Sequence, residues 1–326
     1  MRAFGRFLGQ MAALGFLAAA TCVAHAQQAY PTKPIKLVVG YGVGGVADIT
    51  ARLIAAKLSA ALGQPVIVDN RPSAGGIVAG EIVAKAAPDG YTLLHMNYGN
   101  AVSAALFKSL PYDIERDFVP VAPMGAFDIL IVTNKGSPLN SVADLIAAAK
   151  AAPDKFNVGT VSIGSGQHMA AELFKSMTGM DLTIVPFRGT PALITALKGD
   201  DIQAAFEISA PVMPFVKNGE LKVLAVGSKR RFSGLPNVPT VTESGVPGYD
   251  VLAWNGIAVP ANTPPEIIER LNREVNAALA QPDVRKTFQD LGIDPRGGSS
   301  QDLKDMLTAE VAKWKKLVET AKIEKQ

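Results

Sequence analysis

Gly40-Tyr41-Gly42-Val43-Gly44-Gly45 lies between an apolar run, Ile35 to Val39, and a helix-patterned stretch that begins at Ala47. Read literally it satisfies G-x-G-x-x-G, and Asp69 ends the next strand-like run, which together make a dinucleotide fingerprint. The same glycines serve a simpler chemistry. They let backbone N–H groups approach an anion at the positive end of a helix, and a carboxylate satisfies those donors as well as a phosphate does. A glycine turn that only packs the sheet is the third reading. Asp48 would repel a bound carboxylate, so it is assigned to capping or bracing the loop.

Ser162-Ile163-Gly164-Ser165-Gly166-Gln167-His168 repeats the theme between a strand expected at Asn157 to Gly159 and a helix running to Thr178. It can offer hydroxyls and N–H groups to another carboxylate, or simply start the helix. A Ser165 nucleophile with His168 as base is the enzymatic alternative. The elbow pattern G-x-S-x-G fails there, because Ile163 stands where the first glycine belongs, and no acidic partner follows in a suggestive context. Arg188 ends Val185-Pro186-Phe187, where it can pair with a carboxylate or sit solvated on the surface. Glu207 ends Ala204-Ala205-Phe206, where it can accept from a ligand hydroxyl or amine, or cap a helix.

The candidate ligand-binding set is therefore Tyr41, Val43, Gly44, Gly45, Val46, Ala47 and Asp48 from the first loop, Asn97 after the third strand, Ser162, Gly164, Ser165 and His168 from the second, and Arg188 with Glu207. No residue is given a catalytic or metal-ligating role, and no cofactor is expected. Past the first 26 residues His95 and His168 are the only histidines, 73 positions apart, and no cysteine remains, so a transition-metal site has little to use. His95, in Leu93-Leu94-His95-Met96, is expected as a satisfied core residue. No EF-hand-like acidic loop appears.

The elements that must carry these loops alternate in type. Strand-like Ile35–Val39, Val66–Asp69 and Thr92–Met96 each precede a helical stretch, and a second series runs from Ile129–Thr133 through Thr183–Pro186 to Ala204–Glu207. Alternation of this kind predicts an α/β fold with a mainly parallel sheet covered by helices. Ile54, Leu58 and Leu62 recur at four-residue spacing before Gly63, which marks a helix end. Ser141 with Asp144 resembles a capping box. Strands are expected at Leu221–Val226 and Val251–Val259, then two or three helices, the last with Leu303, Met306, Leu307, Val311, Trp314 and Leu317 on its core face. Pro/Gly-rich stretches near Pro120–Gly125 and Gly234–Gly248 read as loops that mark two crossings between two domains.

The chain opens with Arg2 and Arg6, an apolar stretch from Phe7 to Val23, and Ala24-His25-Ala26, the order of a cleavable secretory signal peptide. Cleavage after Ala26 leaves 300 of the 326 residues and takes the formal charge from +3 to +1. Cys22, the one cysteine, falls inside that leader in a poor lipoprotein context, so burial rather than a disulfide must stabilise the mature chain. No dense Lys/Arg run remains to track a phosphate backbone, which argues against nucleic acid. Nor does any later apolar segment approach the ~20 residues of a membrane helix.

Taken in order, several short motifs resemble the substrate-binding receptors of tripartite tricarboxylate transporters, the Bug family. They are Tyr30-Pro31 with Lys33-Pro34-Ile35, Gly44-Gly45-Val46-Ala47-Asp48, Leu62-Gly63-Gln64-Pro65, Val68-Asp69-Asn70-Arg71-Pro72 and Pro88-Asp89-Gly90-Tyr91-Thr92-Leu93. Leu110-Pro111-Tyr112-Asp113, Asp117-Phe118 with Pro120, Gly164-Ser165 with His168, Val185-Pro186-Phe187-Arg188-Gly189, Pro236-Asn237-Val238-Pro239-Thr240 and Trp254-Asn255-Gly256 follow. The resemblance implies a type II periplasmic-binding-protein fold, a Venus flytrap of two doubly wound α/β domains joined by two crossovers. Domain 1 would be residues 27–125 plus 250–326, and domain 2 residues 126–249. It further implies a monomer in the periplasm that holds a small carboxylate in the interdomain cleft for a two-component membrane permease. A di- or tricarboxylate, an aromatic acid or an amino acid would all fit. The competing classes are an exported NAD-dependent or hydrolytic enzyme and a carboxylate-sensing subunit of a signalling system. Two departures bear on the ligand. The family's Pro-Phe-Pro-Ala before the paired glycines is Gly40-Tyr41-Gly42-Val43 here, and the usual Asp after Phe206 is Glu207.

Overall fold

The structure, a computed structural model, describes residues 30–326; the expected leader 1–26, Cys22 included, lies outside them. Ten strands form one continuous sheet: β1 (Ile35–Val39), β2 (Val66–Asn70), β3 (Thr92–Asn97), β4 (Phe118–Asn134), β5 (Asn157–Val161), β6 (Thr183–Phe187), β7 (Ala204–Ile208), β8 (Leu221–Val226), β9 (Leu252–Pro260) and β10 (Ile293–Pro295). Their order is β2-β1-β3-β9-β4-β7-β5-β6, with β8 and β10 also paired to β4. Each half is parallel at its outer part, β2-β1-β3 on one side and β7-β5-β6 on the other. The centre is antiparallel, because β4 and β9 carry the chain between the halves in opposite directions. The sheet is thus mixed, where strand–helix alternation alone suggested a mainly parallel one.

β4 makes the first crossing without interruption. Phe118 to Asp128 pair with β9, and Ile129 onward pairs with β7 and β8. Pro120–Gly125, expected as a loop, lies inside this strand. The register shifts between Pro120 and Ala122 and again between Pro123 and Gly125, so the prolines sit at bulges where a missing N–H costs the ladder little. On the return, Gly227 N–H donates to Ile129 O at 2.8 Å and Val251 N–H to Gly227 O at 2.9 Å, which leads the chain into β9. Gly234–Gly248 belongs to the excursion between β8 and β9.

Helices cover both faces. Val46–Leu62 buries Ile54, Leu58 and Leu62, and Gly63 closes it at φ +69°, a left-handed cap that costs glycine nothing. Ser141 accepts from Asp144 N–H, but Asp144 Oδ2 accepts from Asn140 N–H, so only half of the expected capping box forms. The final helix, Ser300–Thr320, buries Leu303, Leu307, Val311, Trp314 and Leu317, with Met306 half-buried, against β4 and the helix Tyr98–Leu106. Among the described residues no helix is long and apolar enough to cross a membrane.

Candidate functional site

Strand carboxyl ends of the two halves meet around a cavity of about 880 Å³. Gly40–Ala47, the turn from β1 into its helix, forms one wall, and Val161–Gln167, the corresponding turn after β5, forms another. The helix Val46–Leu62 starts at Gly45 with no side-chain cap, so its first-turn N–H groups are left for an acceptor. A Cβ built on Gly42 or Gly44 meets nothing within 4 Å, and Gly44 adopts φ +85°. These glycines therefore do not serve tight packing within the protein; they keep the approach to the backbone open. Asp48 braces the turn from behind. Its Oδ2 accepts from Gly44 N–H at 2.9 Å, and its Oδ1 accepts from Asn70 and pairs with Arg52, each at 2.9 Å.

In the second turn Ser162 has φ +51°, unusual for a residue with a side chain and a mark of a locally over-determined backbone. Ser165 caps the helix Gly166–Thr178. Its Oγ accepts from His168 N–H at 3.1 Å and donates to Val161 O. Both functions of that hydroxyl are thus committed to the backbone. The His168 ring faces Glu172, at 3.9 Å, and burial holds its pKa below the ordinary value.

Tyr41, Gly44, Gly45, Val46, Ala47, Asn97, Ser162, Gly164, Ser165, Arg188 and Glu207 all line the cavity. Val43, Asp48 and His168 do not: Val43 is 74% exposed on the rim, and the other two support their turns from outside. Arg188 is the one Lys or Arg among the described lining residues, and it makes no ion pair among them. Glu207, fully buried at the end of β7, accepts from Gln167 Nε2 and Ile208 N–H at 2.8 Å and from Thr190 Oγ at 2.9 Å. Burial raises its pKa, and those donors oppose the shift. Gln167 also accepts from Tyr98 OH at 2.9 Å, so a hydrogen-bonded chain runs from the helix after β3 to Glu207 in the other half.

Three parts of the wall were not singled out from the sequence. Pro72–Gly75 supplies a third turn, and its signal was present in Arg71-Pro72-Ser73-Ala74-Gly75-Gly76, another strand followed by paired glycines. Tyr98 and Gln167 gave no local cue, because their contact joins residues 69 apart. His95 was expected to be satisfied, yet neither ring nitrogen has a partner, and the residue is buried at the cavity floor. Burial holds its pKa at about 4, opposed only in part by its own backbone and by the charge of Asp48. The folded state thus refuses a proton that the unfolded chain accepts below about pH 6.5. Stability from this group is complete above that pH and falls as pH drops toward 4. Relative to wild type, His95→Leu is expected to lose about 2 kcal/mol less stability between pH 7 and 4.5, read from denaturation curves.

The dinucleotide reading of the first loop needs Asp69 at the ligand. Asp69 instead pairs with Arg71 at 2.9 Å and Lys36 at 3.8 Å and does not line the cavity. Among the described residues no group of three His, Cys, Asp or Glu side chains is placed to hold a metal ion.

Comparison with known proteins agrees with this geometry. Residues 50–323 match the model of the tripartite tricarboxylate transporter family receptor, a match that begins just past the first glycine loop. Protein BugT of Bordetella pertussis is 35% identical over 287 residues, 87% of this chain and 88% of that protein. The structure of R. palustris Rpa4515 with adipate superposes with a TM-score of 0.82 at 36% identity, covering 91% of this chain and all of that one. MatC from Rhodopseudomonas palustris with bound malate gives a TM-score of 0.79 at 32% identity, over 89% of this chain and 100% of its own. The fold is accordingly the α/β solute-binding form expected from the motifs, with two crossovers within one curled mixed sheet. The chain belongs to the tripartite tricarboxylate transporter receptor family.

Proposed function

We propose that the protein is an exported solute-binding receptor that captures a small dicarboxylate in the central cavity and delivers it, unchanged, to a two-component membrane permease. The observation that carries this reading is the pairing of two glycine-rich helix starts with one unpaired guanidinium, Arg188, around a single cavity. Helix N-termini and free backbone donors suit one carboxylate, and a guanidinium suits the second. The adipate and malate bound by the two related structures favour a dicarboxylate over a monocarboxylate. Glu207 Oε2, with one donor already, has capacity for a hydroxyl or ammonium on the ligand.

In this reading residues 27–125 with 250–326 form one domain and 126–249 the other, 1–26 directs export to the periplasm, and the protein acts as a monomer. Closure of the domains around the anion creates the surface that the permease reads. Commitment of the Ser165 hydroxyl to Val161 and His168 supports capture rather than hydrolysis.

A thermal-shift screen of the purified protein against mono-, di- and tricarboxylates, aromatic acids, acidic amino acids and NAD tests the reading. Ligand at 100 times its dissociation constant should add about 2.7 kcal/mol of stability. A response confined to carboxylates, with the ligand recovered intact, supports it; a response to NAD alone rejects it. Arg188→Ala is expected to weaken the best dicarboxylate by about 10- to 100-fold, the ~1.5–3 kcal/mol of a charge-assisted hydrogen bond, and a monocarboxylate by much less. Equal losses for both would remove Arg188 from the ligand.

A further inference from the structure

Side chains alternate across a strand, so the crossing strands present different residues to front and back. Phe127 and Asn255 face the central cavity, whereas Ala126, Asp128, Leu252 and Trp254 line a second cavity of about 560 Å³ on the opposite face of the same two strands. Its walls come from β4 and β9, the segment after β8, the turn at β10 and the last helix, and thus from both halves of the molecule.

Four acids line it, and they are not equally compensated. Asp250 pairs with Lys229 and Asp294 with Arg296, each at 3.2 Å. Asp128, only 7% exposed, makes no ion pair, and its Oδ1 has no hydrogen-bond partner. Glu310 pairs through Oε1 with Lys313, and its Oε2 has only the Trp314 indole near it, with no well-formed hydrogen bond. Of the other lining bases, Arg231 is engaged by Glu243 at 2.9 Å, and Arg230 stands exposed to solvent. Burial pushes Asp128 up to about 6, with Ser228 and Arg296 opposing and Asp294 and Asp250 adding to the rise; burial also raises Glu310. A buried carboxylate oxygen without a well-formed hydrogen bond is costly to maintain, and Asp128 and Glu310 each bring one to this cavity.

We propose that this rear cavity is a binding site for a small organic cation, an alkylammonium or alkylguanidinium whose N–H donors serve the carboxylates of Asp128 and Glu310. Its hydrocarbon part lies against Phe232, Leu252, Trp254 and Met306, which also line the cavity. A bare metal ion does not fit, because among the described residues no three acids or histidines converge. Since the walls belong to both halves, occupancy favours one angle between them. Carboxylate affinity at the front must then change with the cation, and cation affinity with the carboxylate, by the same factor.

Calorimetric titration of the purified protein at pH 7.5 with ethylammonium, 1,4-diaminobutane and methylguanidinium tests the proposal, with tetramethylammonium and Mg²⁺ as controls. Saturable binding of at least one of the three probes is expected, weakened at least about tenfold by Asp128→Asn, which removes a charge-assisted partner. Asp283→Asn, a surface carboxylate that lines neither cavity, should leave it unchanged. No binding of any probe, equal binding of tetramethylammonium, binding of Mg²⁺ alone, or loss on Asp283→Asn but not Asp128→Asn would each overturn the site. Should Asp128→Asn fail to fold, Glu310→Gln decides, with at least about a threefold loss expected and an unchanged affinity counting against the proposal.

Discussion

Gly166→Ala is expected to abolish carboxylate capture while leaving a folded protein. Gly166 is the first residue of its helix, and the edge of the Tyr98 ring points at it; a Cβ there would collide with Tyr98 Cε2. Tyr98 is buried between the halves and cannot retreat without losing its hydrogen bond to Gln167, which in turn holds Glu207. Pushing the ring away therefore separates the halves at the cavity and breaks the chain of bonds that positions the one lining acid. Overpacking of this kind costs about 1–3 kcal/mol of stability, which a chain of this size survives. Affinity for the best carboxylate from the screen should fall by more than about 100-fold, because the second loop no longer reaches the ligand. Adding Tyr98→Ala to Gly166→Ala makes room again and should recover part of the binding. Tyr98→Phe alone, which deletes only the hydroxyl, should cost about tenfold. Wild-type affinity in Gly166→Ala would show that the ring moves aside freely and that the contact does not set the closed geometry.

Trp314→Ala carries the second large effect, on stability. Trp314 is fully buried on the last helix, which lies on β4 and on the helix that carries Tyr98. Removing so large a side chain leaves a cavity that the surrounding structure cannot fill, at about 3–5 kcal/mol, measurable as a lower urea midpoint at unchanged slope. Trp314→Phe should cost far less. It keeps most of the packing, and the indole N–H it removes makes no well-formed hydrogen bond. If Trp314→Ala unfolds at the wild-type midpoint, the last helix does not share the core.

The sequence was informative where function and local geometry coincide. A strand, a glycine turn and a helix start are contiguous in sequence, so both glycine turns of the cavity and most of their lining residues are legible without the fold. Arg188 and Glu207 were legible as strand ends, although whether each faced solvent or ligand was open. The crossing strand was hidden for the opposite reason. Pro120, Pro123 and Gly125 are local signals for a break, and the bulges that accommodate them exist only because β9, more than 120 positions later, supplies the partner edge. His95 was misjudged likewise. Its apolar neighbours in sequence predict burial correctly, but its unpaired state depends on which groups distant parts of the chain bring to it.

The unbroken passage of β4 from one half to the other limits how the receptor can vary. One residue inserted between Asp128 and Ile129 would invert every side chain on one side of the insertion. Either Phe127 would exchange places with Asp128, moving an acid into the front cavity, or Ile129 and Ile131 would exchange faces with Leu130 and Val132, which pack into a different core. An inserted residue there would have to be taken up by a bulge, as β4 already does around Pro120 and Pro123 and between Ile131 and Val132. A receptor built this way alters its specificity more readily through the loops, where length is free, than through the segment that joins its halves.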